Sequence, residues 1–191
     1  MCHNILCDPK LYSFLLYVDQ DLAAAARDQG CSCGGVLHAA HYPRKPRGAA
    51  VALSEDYRRR SSFCCADCRR RTTPESVRFL GRRVYLGVVV VLVSAMRAGV
   101  TDRRANPLMQ ALCVPRRTLE RWRCWWLDGF VHSAFWVGAQ ACFMPAVDLL
   151  ALPASLLERF VGEDLRARLI LLMRFLRPLS TRTASTVGNG R

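Results

Sequence analysis

The chain has 191 residues, 51% of them hydrophobic, and 28 Lys and Arg stand against 15 Asp and Glu for a formal net charge of +13. That apolar content excludes a disordered tail and is enough to bury a core in one domain or two small ones. The basic surplus is nearly all arginine, whose planar fork meets phosphates and guanine edges bidentately, so the composition points to a polyanion, with an anionic membrane surface as the competing attraction.

The segment Met1 to Asp8 has no basic stretch followed by an apolar run and cleavage site, so nothing in it directs secretion and the expected compartment is the reduced cytosol. There, clustered cysteines are metal ligands and not disulfides. Asp8 caps and Pro9 opens a helix in which Leu11, Phe14, Leu15, Val18 and Leu22 follow helical spacing, and Gly30 ends it after Gln29. Residues 1–29 are therefore an N-terminal helix that packs on another part of the chain.

Residues 30–83 carry the strongest signal, the runs Cys31-Ser32-Cys33-Gly34-Gly35 and Cys64-Cys65-Ala66-Asp67-Cys68. Zn²⁺ takes four soft ligands in a tetrahedron, so each pair must sit in a tight turn that aims two sulfurs at one spot, and Gly34 and Gly35 supply unrestricted φ there. The preferred ligands are Cys31, Cys33, Cys65 and Cys68. Cys64 replaces Cys65 in another register, and His38 or His41 can replace a first-pair thiolate. Extended segments near Val36 to Tyr42 and Tyr57 to Phe63 complete a zinc-ribbon hairpin with Zn²⁺ as its structural cofactor. Arg69, Arg70, Arg71, Arg78, Arg82 and Arg83 follow as a basic segment suited to phosphate contacts. The single residues Cys113, Cys124 and Cys142 read as packing groups.

Residues 84–130 begin with the apolar run Val84 to Met96, roughly thirteen residues where a bilayer helix needs about twenty. A buried core helix is expected, although its valines allow a strand. Asn106 and Pro107 then start a short helix through Leu112, Cys113-Val114 turn, and Pro115 opens a second helix through Trp126, giving a helix-turn-helix. Leu119, Trp122 and Trp126 face inward in that second helix. Arg116, Arg117, Thr118, Glu120, Arg121 and Arg123 lie on its exposed faces, with Arg116, Arg117, Thr118 and Arg121 reaching base edges or flanking phosphates.

In residues 131–179, the stretch Phe130 to Val147 is uncharged but interrupted by His132, Ser133, Gln140 and Pro145, so a membrane span is not expected. Glu163 to Arg177 is a helix whose Leu165, Leu169, Leu172 and Leu176 form a stripe, either core or a homodimer seam, and Pro178 stops it. Residues 180–191, rich in Ser, Thr and Gly, are expected to be a disordered tail. The fold class is α+β, mostly α: a small zinc-ribbon hairpin module followed by a helical helix-turn-helix region.

The order of cysteine pair, hairpin, cysteine pair, basic segment, apolar segment and helix-turn-helix over residues 30–128 resembles the DNA-binding front end of insertion-sequence transposases. The run Val114-Pro115-Arg116-Arg117-Thr118-Leu119-Glu120-Arg121-Trp122 is similar to the turn and recognition helix of that family, with Cys113 where glycine is common and Pro115 where serine is common. The resemblance implies double-stranded DNA as partner. The family's catalytic domain needs three separated carboxylates on a mixed sheet. Beyond Phe130 the acids are Asp148, Glu158, Glu163 and Asp164 in helical surroundings, and no nucleophile arrangement or phosphate-cradling glycine loop accompanies them. The expected protein is thus a zinc-dependent, nucleoid-associated DNA-binding accessory or remnant of a mobile element, not an enzyme and without a small-molecule substrate. The alternatives are a membrane-associated basic protein, or an RNA-binding or transcription-regulatory ribbon stacking bases on Tyr42, Tyr57 and Phe63.

Overall fold

A computed structural model describes residues 5–81, 83–99, 106, 110 and 112–181. It is α+β and about half helical, with a small antiparallel sheet. Helix α1 (Pro9–Asp28) starts as the sequence indicates: the Asp8 carboxylate accepts from Lys10 N–H at 2.9 Å, and Pro9 sits where no helical N–H is needed. Leu11, Leu15, Asp19 and Ala23, four residues apart, make its buried face, whereas Phe14 is exposed beneath the Arg174 guanidinium, 5.6 Å from the ring centre.

The strands are β1 (Leu37–Ala39), β2 (Tyr42–Pro43), β3 (Arg59–Arg60), β4 (Phe63–Cys65) and β5 (Arg71–Thr72). Leu37 opposes Cys65, Ala39 opposes Phe63, Tyr42 opposes Arg60 and Pro43 opposes Arg59, so β1–β2 and β3–β4 are two stretches of one antiparallel hairpin in constant register. The ladder is interrupted at His41, whose ring nitrogen, in place of a carbonyl, accepts from Ser62 N–H. β5 returns along the other edge of β4. Tyr57, expected in an extended segment, instead lies in a 3-10 turn over Glu55–Arg58.

A buried ion pair ties α1 to the segment after β5. Arg78 Nε donates to Asp19 Oδ2 at 2.7 Å, and both side chains are at least 97% withdrawn from solvent. The second carboxylate oxygen accepts from Val77 N–H, and Ser76 Oγ donates to the first. The rest of the Arg78 fork donates to the carbonyls of Asp56 and Arg59 and lies over the Tyr57 and Phe79 rings. Tyr57 Oη donates to Tyr12 O, and its burial drives its ionisation well above the usual tyrosine range. Ser180, placed at the start of the tail by sequence, is buried and receives Ser76 N–H; residues 182–191 lie outside the described residues.

The helical half surrounds α2 (Gly87–Gly99). Val88 through Val93 are each at most 1% exposed, as expected for a helix apolar on every side. Around it pack α3 (Arg116–Cys124), α4 (Ala134–Ala139), α5 (Ala154–Leu157) and α6 (Leu165–Leu176). α3 runs on into a π-helical turn, Trp125–Phe130, whose rings join Trp136, Phe143 and Phe175 in an aromatic cluster. Of the leucine stripe, Leu169, Leu172 and Leu176 are buried in the chain's own core, and Leu165 is half-buried against it. Cys113, Cys124 and Cys142 are exposed, contrary to the packing role read from their apolar neighbours. No helix among the described residues is long and apolar enough to cross a membrane.

Removing Asp19 strands the Arg78 charge in the interior. Asp19→Ala is expected to cost about 3–5 kcal/mol in urea denaturation, and pairing it with Arg78→Leu should recover part of that loss by removing the stranded charge.

Candidate metal centre and its basic surroundings

Cys31 follows directly from α1, where Gln29 N–H still bonds Ala25 O and Gly30 takes a left-handed φ of 75°. Gly34 N–H closes a turn on Cys31 O at 2.9 Å, and Cys65 N–H closes one on Arg70 O at 3.0 Å. The residue after each second cysteine is left-handed, Gly34 at φ 83° and Arg69 at φ 59°. The two turns are closed by different backbone bonds but both place a left-handed residue after the second cysteine, and only the first uses glycine for it. Gly35 is required for a different reason: a Cβ there would collide with the Asp67 carboxylate and lie 2.6 Å from Cys65 Sγ. One glycine gives the backbone its conformation and the other leaves room for a carboxylate and a sulfur.

The result is a close group. Cys31 Sγ is 3.5 Å from Cys68 Sγ, Cys33 Sγ is 3.4 Å from Cys31 Sγ and 3.5 Å from Cys65 Sγ, and all four sulfurs lie within 4.8 Å of one another. A disulfide needs about 2.05 Å. Four Zn–S bonds of about 2.3 Å in a tetrahedron set sulfurs about 3.8 Å apart, so the group is compatible with a zinc ion. Cys31, Cys33, Cys65 and Cys68 are the residues that could hold it.

Cys64 and the two histidines stand outside the group. Successive residues of β4 point to opposite faces, so Cys64 turns away from Cys65, and its Sγ lies 3.5 Å from Arg69 O. His38 is exposed opposite Cys64, and His41 is taken up by Ser62 N–H and the edge of Phe63.

Crowding also acts on the thiols. The Cys33 backbone N–H, with the Cys33 and Cys68 thiols, lowers Cys31 below the ordinary thiol value. At Cys68 the Arg70 N–H favours the thiolate but is outweighed by the thiols of Cys33, Cys31 and Cys65, and the group is pushed up to about 12. Four thiolates can coexist here only around a cation, which must displace the protons.

The arginines named from sequence separate into two sets. Arg69, Arg70 and Arg71 are exposed at the second turn and β5; Arg70 donates to Ser32 Oγ across the two turns, and Arg71 lies over Tyr42. Arg78 is the clamp to Asp19, so its assignment to phosphate is corrected: its guanidinium does not reach the surface. Arg83 is half-buried 4.0 Å over the Trp125 ring, and loss of water lowers it to about 10, so it joins the basic segment to the π-helical turn after α3. Arg82 lies outside the described residues.

On α3, Arg116, Arg117 and Arg121 are exposed, with Arg116 paired to Glu120 at 3.1 Å. Leu119, Trp122 and Trp126 are buried as expected. Thr118 is buried too, one turn from Trp122, and its hydroxyl accepts from Arg121, which corrects its placement on the exposed face. Cys113, where the resemblance has glycine, takes φ 50°, the left-handed conformation that glycine provides without strain. The helix expected from Asn106 falls almost wholly outside the described residues, so the angle of a helix pair is not defined.

Sequence reasoning passed over Arg58 and Arg59, exposed beside His41 and Tyr42 along an open groove and paired with Glu55 and Asp56. The run Arg58-Arg59-Arg60 was its signal. Arg60 differs from the other two: it is buried, donates to the carbonyls of Pro74 and Glu75, and has its pKa lowered by that burial. Tyr57 and Phe63 are buried and cannot stack a base.

Comparison with protein-family models, curated proteins and solved structures found no match to this chain.

Zinc uptake should release protons and weaken as pH falls, because protonation of Cys68 and its neighbours competes with the metal; isothermal titration in two buffers of different ionisation heat reads both effects. Gly35→Ala should lower zinc affinity by about tenfold or more in competition with a chromogenic chelator, since its methyl crowds both the Asp67 carboxylate and the Cys65 sulfur.

Proposed function

We propose that the protein binds double-stranded DNA, with Zn²⁺ at Cys31, Cys33, Cys65 and Cys68 holding a ribbon-like module as the platform and α3 supplying the sequence-reading element. The observation that carries the reading is the placement of Arg69, Arg70 and Arg71. They are consecutive, exposed and anchored at the cysteine turn, and no carboxylate pairs with them among the described residues. Cations left without acidic partners on a rigid base are suited to a regular array of phosphates.

Arg116, Arg117 and Arg121 support the same reading. They occupy the exposed face of α3 while Leu119 and Trp122 fix the helix from behind, and the first turn of such a helix enters a major groove deepest. Several of the acids are already used elsewhere: Asp8 by Arg166, Asp19 by Arg78 and Glu75 by Arg177. The resemblance of residues 30–128 to the DNA-binding part of insertion-sequence transposases makes a mobile-element terminus a reasonable target. The reading is of a binding protein.

Changing Arg69, Arg70 and Arg71 together to alanine should leave the fold intact and reduce the slope of log affinity against log salt by about two to three units on any duplex. Fluorescence anisotropy over a salt series measures this; an unchanged slope removes the segment from the interface. Arg117→Ala should cost about 1–3 kcal/mol on a site selected from a random duplex pool and appreciably less on random DNA.

A further inference from the structure

The four clustered cysteines differ in how they meet solvent and in which neighbour each can reach. Cys33 and Cys68 are exposed, Cys31 is half-buried and Cys65 is 0% exposed. Cys31 Sγ and Cys68 Sγ, 3.5 Å apart, make an outward pair from positions 37 residues apart in the chain, whereas the pair at the same distance between Cys33 and Cys65 is closed off on the Cys65 side. The two turns are also fastened to each other by more than sulfur: Ala66 N–H donates to Val36 O at 2.9 Å, and Arg70 donates to Ser32 Oγ at 3.0 Å. The fold itself therefore keeps the outward pair together.

Sulfurs at this distance need to close by only about 1.5 Å to reach the bond length of a disulfide, a movement within reach of side-chain rotation. Cys31 and Cys33 are as close, at 3.4 Å, but they share one turn in which Gly34 N–H bonds Cys31 O, and a bond between neighbours one residue apart strains the backbone they share. A bridge from Cys31 to Cys68 instead joins the end of α1 to the turn after β4, and bridges that close long loops constrain the unfolded chain most. Cys64 points away from the group, and the exposed Cys113, Cys124 and Cys142 are not part of it.

We propose that Cys31 and Cys68 are a modification site at which hydrogen peroxide oxidises the pair to a disulfide. One thiolate attacks a peroxide oxygen, the O–O bond breaks, and the departing hydroxide takes a proton and leaves as water; that sulfur is now a sulfenic acid. The second thiolate attacks it, the S–S bond forms, the S–O bond breaks and a second water leaves. Two thiols and one peroxide become one disulfide and two waters, the sulfurs losing the two electrons that the peroxide gains. Cys33 and Cys65 remain, and two thiolates do not complete a tetrahedral site, so the oxidation expels a bound zinc ion. That last step rests on the metal reading above, and the disulfide does not. The turn that carries Arg69, Arg70 and Arg71 then stays joined to α1 by a covalent bond in place of a metal.

The test uses the full chain, incubated with zinc, treated with an equimolar amount of hydrogen peroxide, quenched with an alkylating agent and digested, so that fragment-ion mass spectrometry locates each disulfide. A chromogenic chelator follows zinc in parallel. The bond from Cys31 to Cys68 is expected to form first, with one zinc released for each bond made, and dithiothreitol should reverse both changes. Cys33→Ser, which keeps the pair, should still form the bond. A first disulfide within either cysteine run, between Cys33 and Cys65, or to Cys64 overturns the proposal, as does a chain whose four clustered thiols stay reduced while Cys113, Cys124 and Cys142 are oxidised. A chain that holds no zinc yet forms the bond from Cys31 to Cys68 upholds the proposal and contradicts the metal reading; a zinc-loaded chain that never forms it does the reverse.

Discussion

Four sulfurs held within 4.8 Å of one another are the constraint on which the amino-terminal half depends. The strands there are two or three residues long, and their own apolar cluster comprises Ala23, Leu37, Phe63 and Cys65, with Cys31 packed beside it. So little sheet with so small a core does not stand alone in water. A metal ion held between the end of α1 and the turn after β4 would supply what the apolar surface cannot, since structural zinc contributes on the order of 10 kcal/mol in small domains. The sulfurs also fix direction, since Arg69 to Arg71 leave the site in a backbone geometry set by the left-handed residue after Cys68.

A second constraint links this module to the helices. α1 places Ala23 in the sheet's cluster and Leu11 and Leu15 in the large core, with Asp19 between them holding Arg78. One helix thus touches both cores, and the ion pair at its middle fixes where the segment after β5 enters the interior. Burying a charged pair is favourable only when its other hydrogen bonds are made. Here Val77, Ser76 and two carbonyls make them. The cost of a stranded partner is what makes this contact specific.

Much of the architecture was legible because it follows local rules. The Asp8–Pro9 helix start, the valine-rich buried helix, the inward Leu119, Trp122 and Trp126, and the four cysteines that meet all come from capping, periodicity or paired spacing. What was not legible depends on distant partners. Arg78 looks like its basic neighbours until Asp19, 59 residues away, is brought against it; Arg83 likewise gives no hint of Trp125. Thr118 was misplaced because a polar side chain was taken as exposed, although its helical position puts it beside Trp122 and its hydroxyl is satisfied by Arg121. Gly35 was read for its φ when its role is the space beside the Asp67 carboxylate and the Cys65 sulfur. The exposed Cys113, Cys124 and Cys142 show that apolar neighbours in sequence do not make a residue interior.

The central claim is that Cys31, Cys33, Cys65 and Cys68 bind one structural zinc ion. X-ray absorption at the zinc edge on the zinc-loaded chain addresses it most directly, since it counts and identifies the ligand atoms. The account predicts one zinc per chain with four sulfur neighbours at about 2.3 Å. A chain that folds without retaining zinc, or a zinc shell containing nitrogen or oxygen in place of any of the four sulfurs, would contradict it.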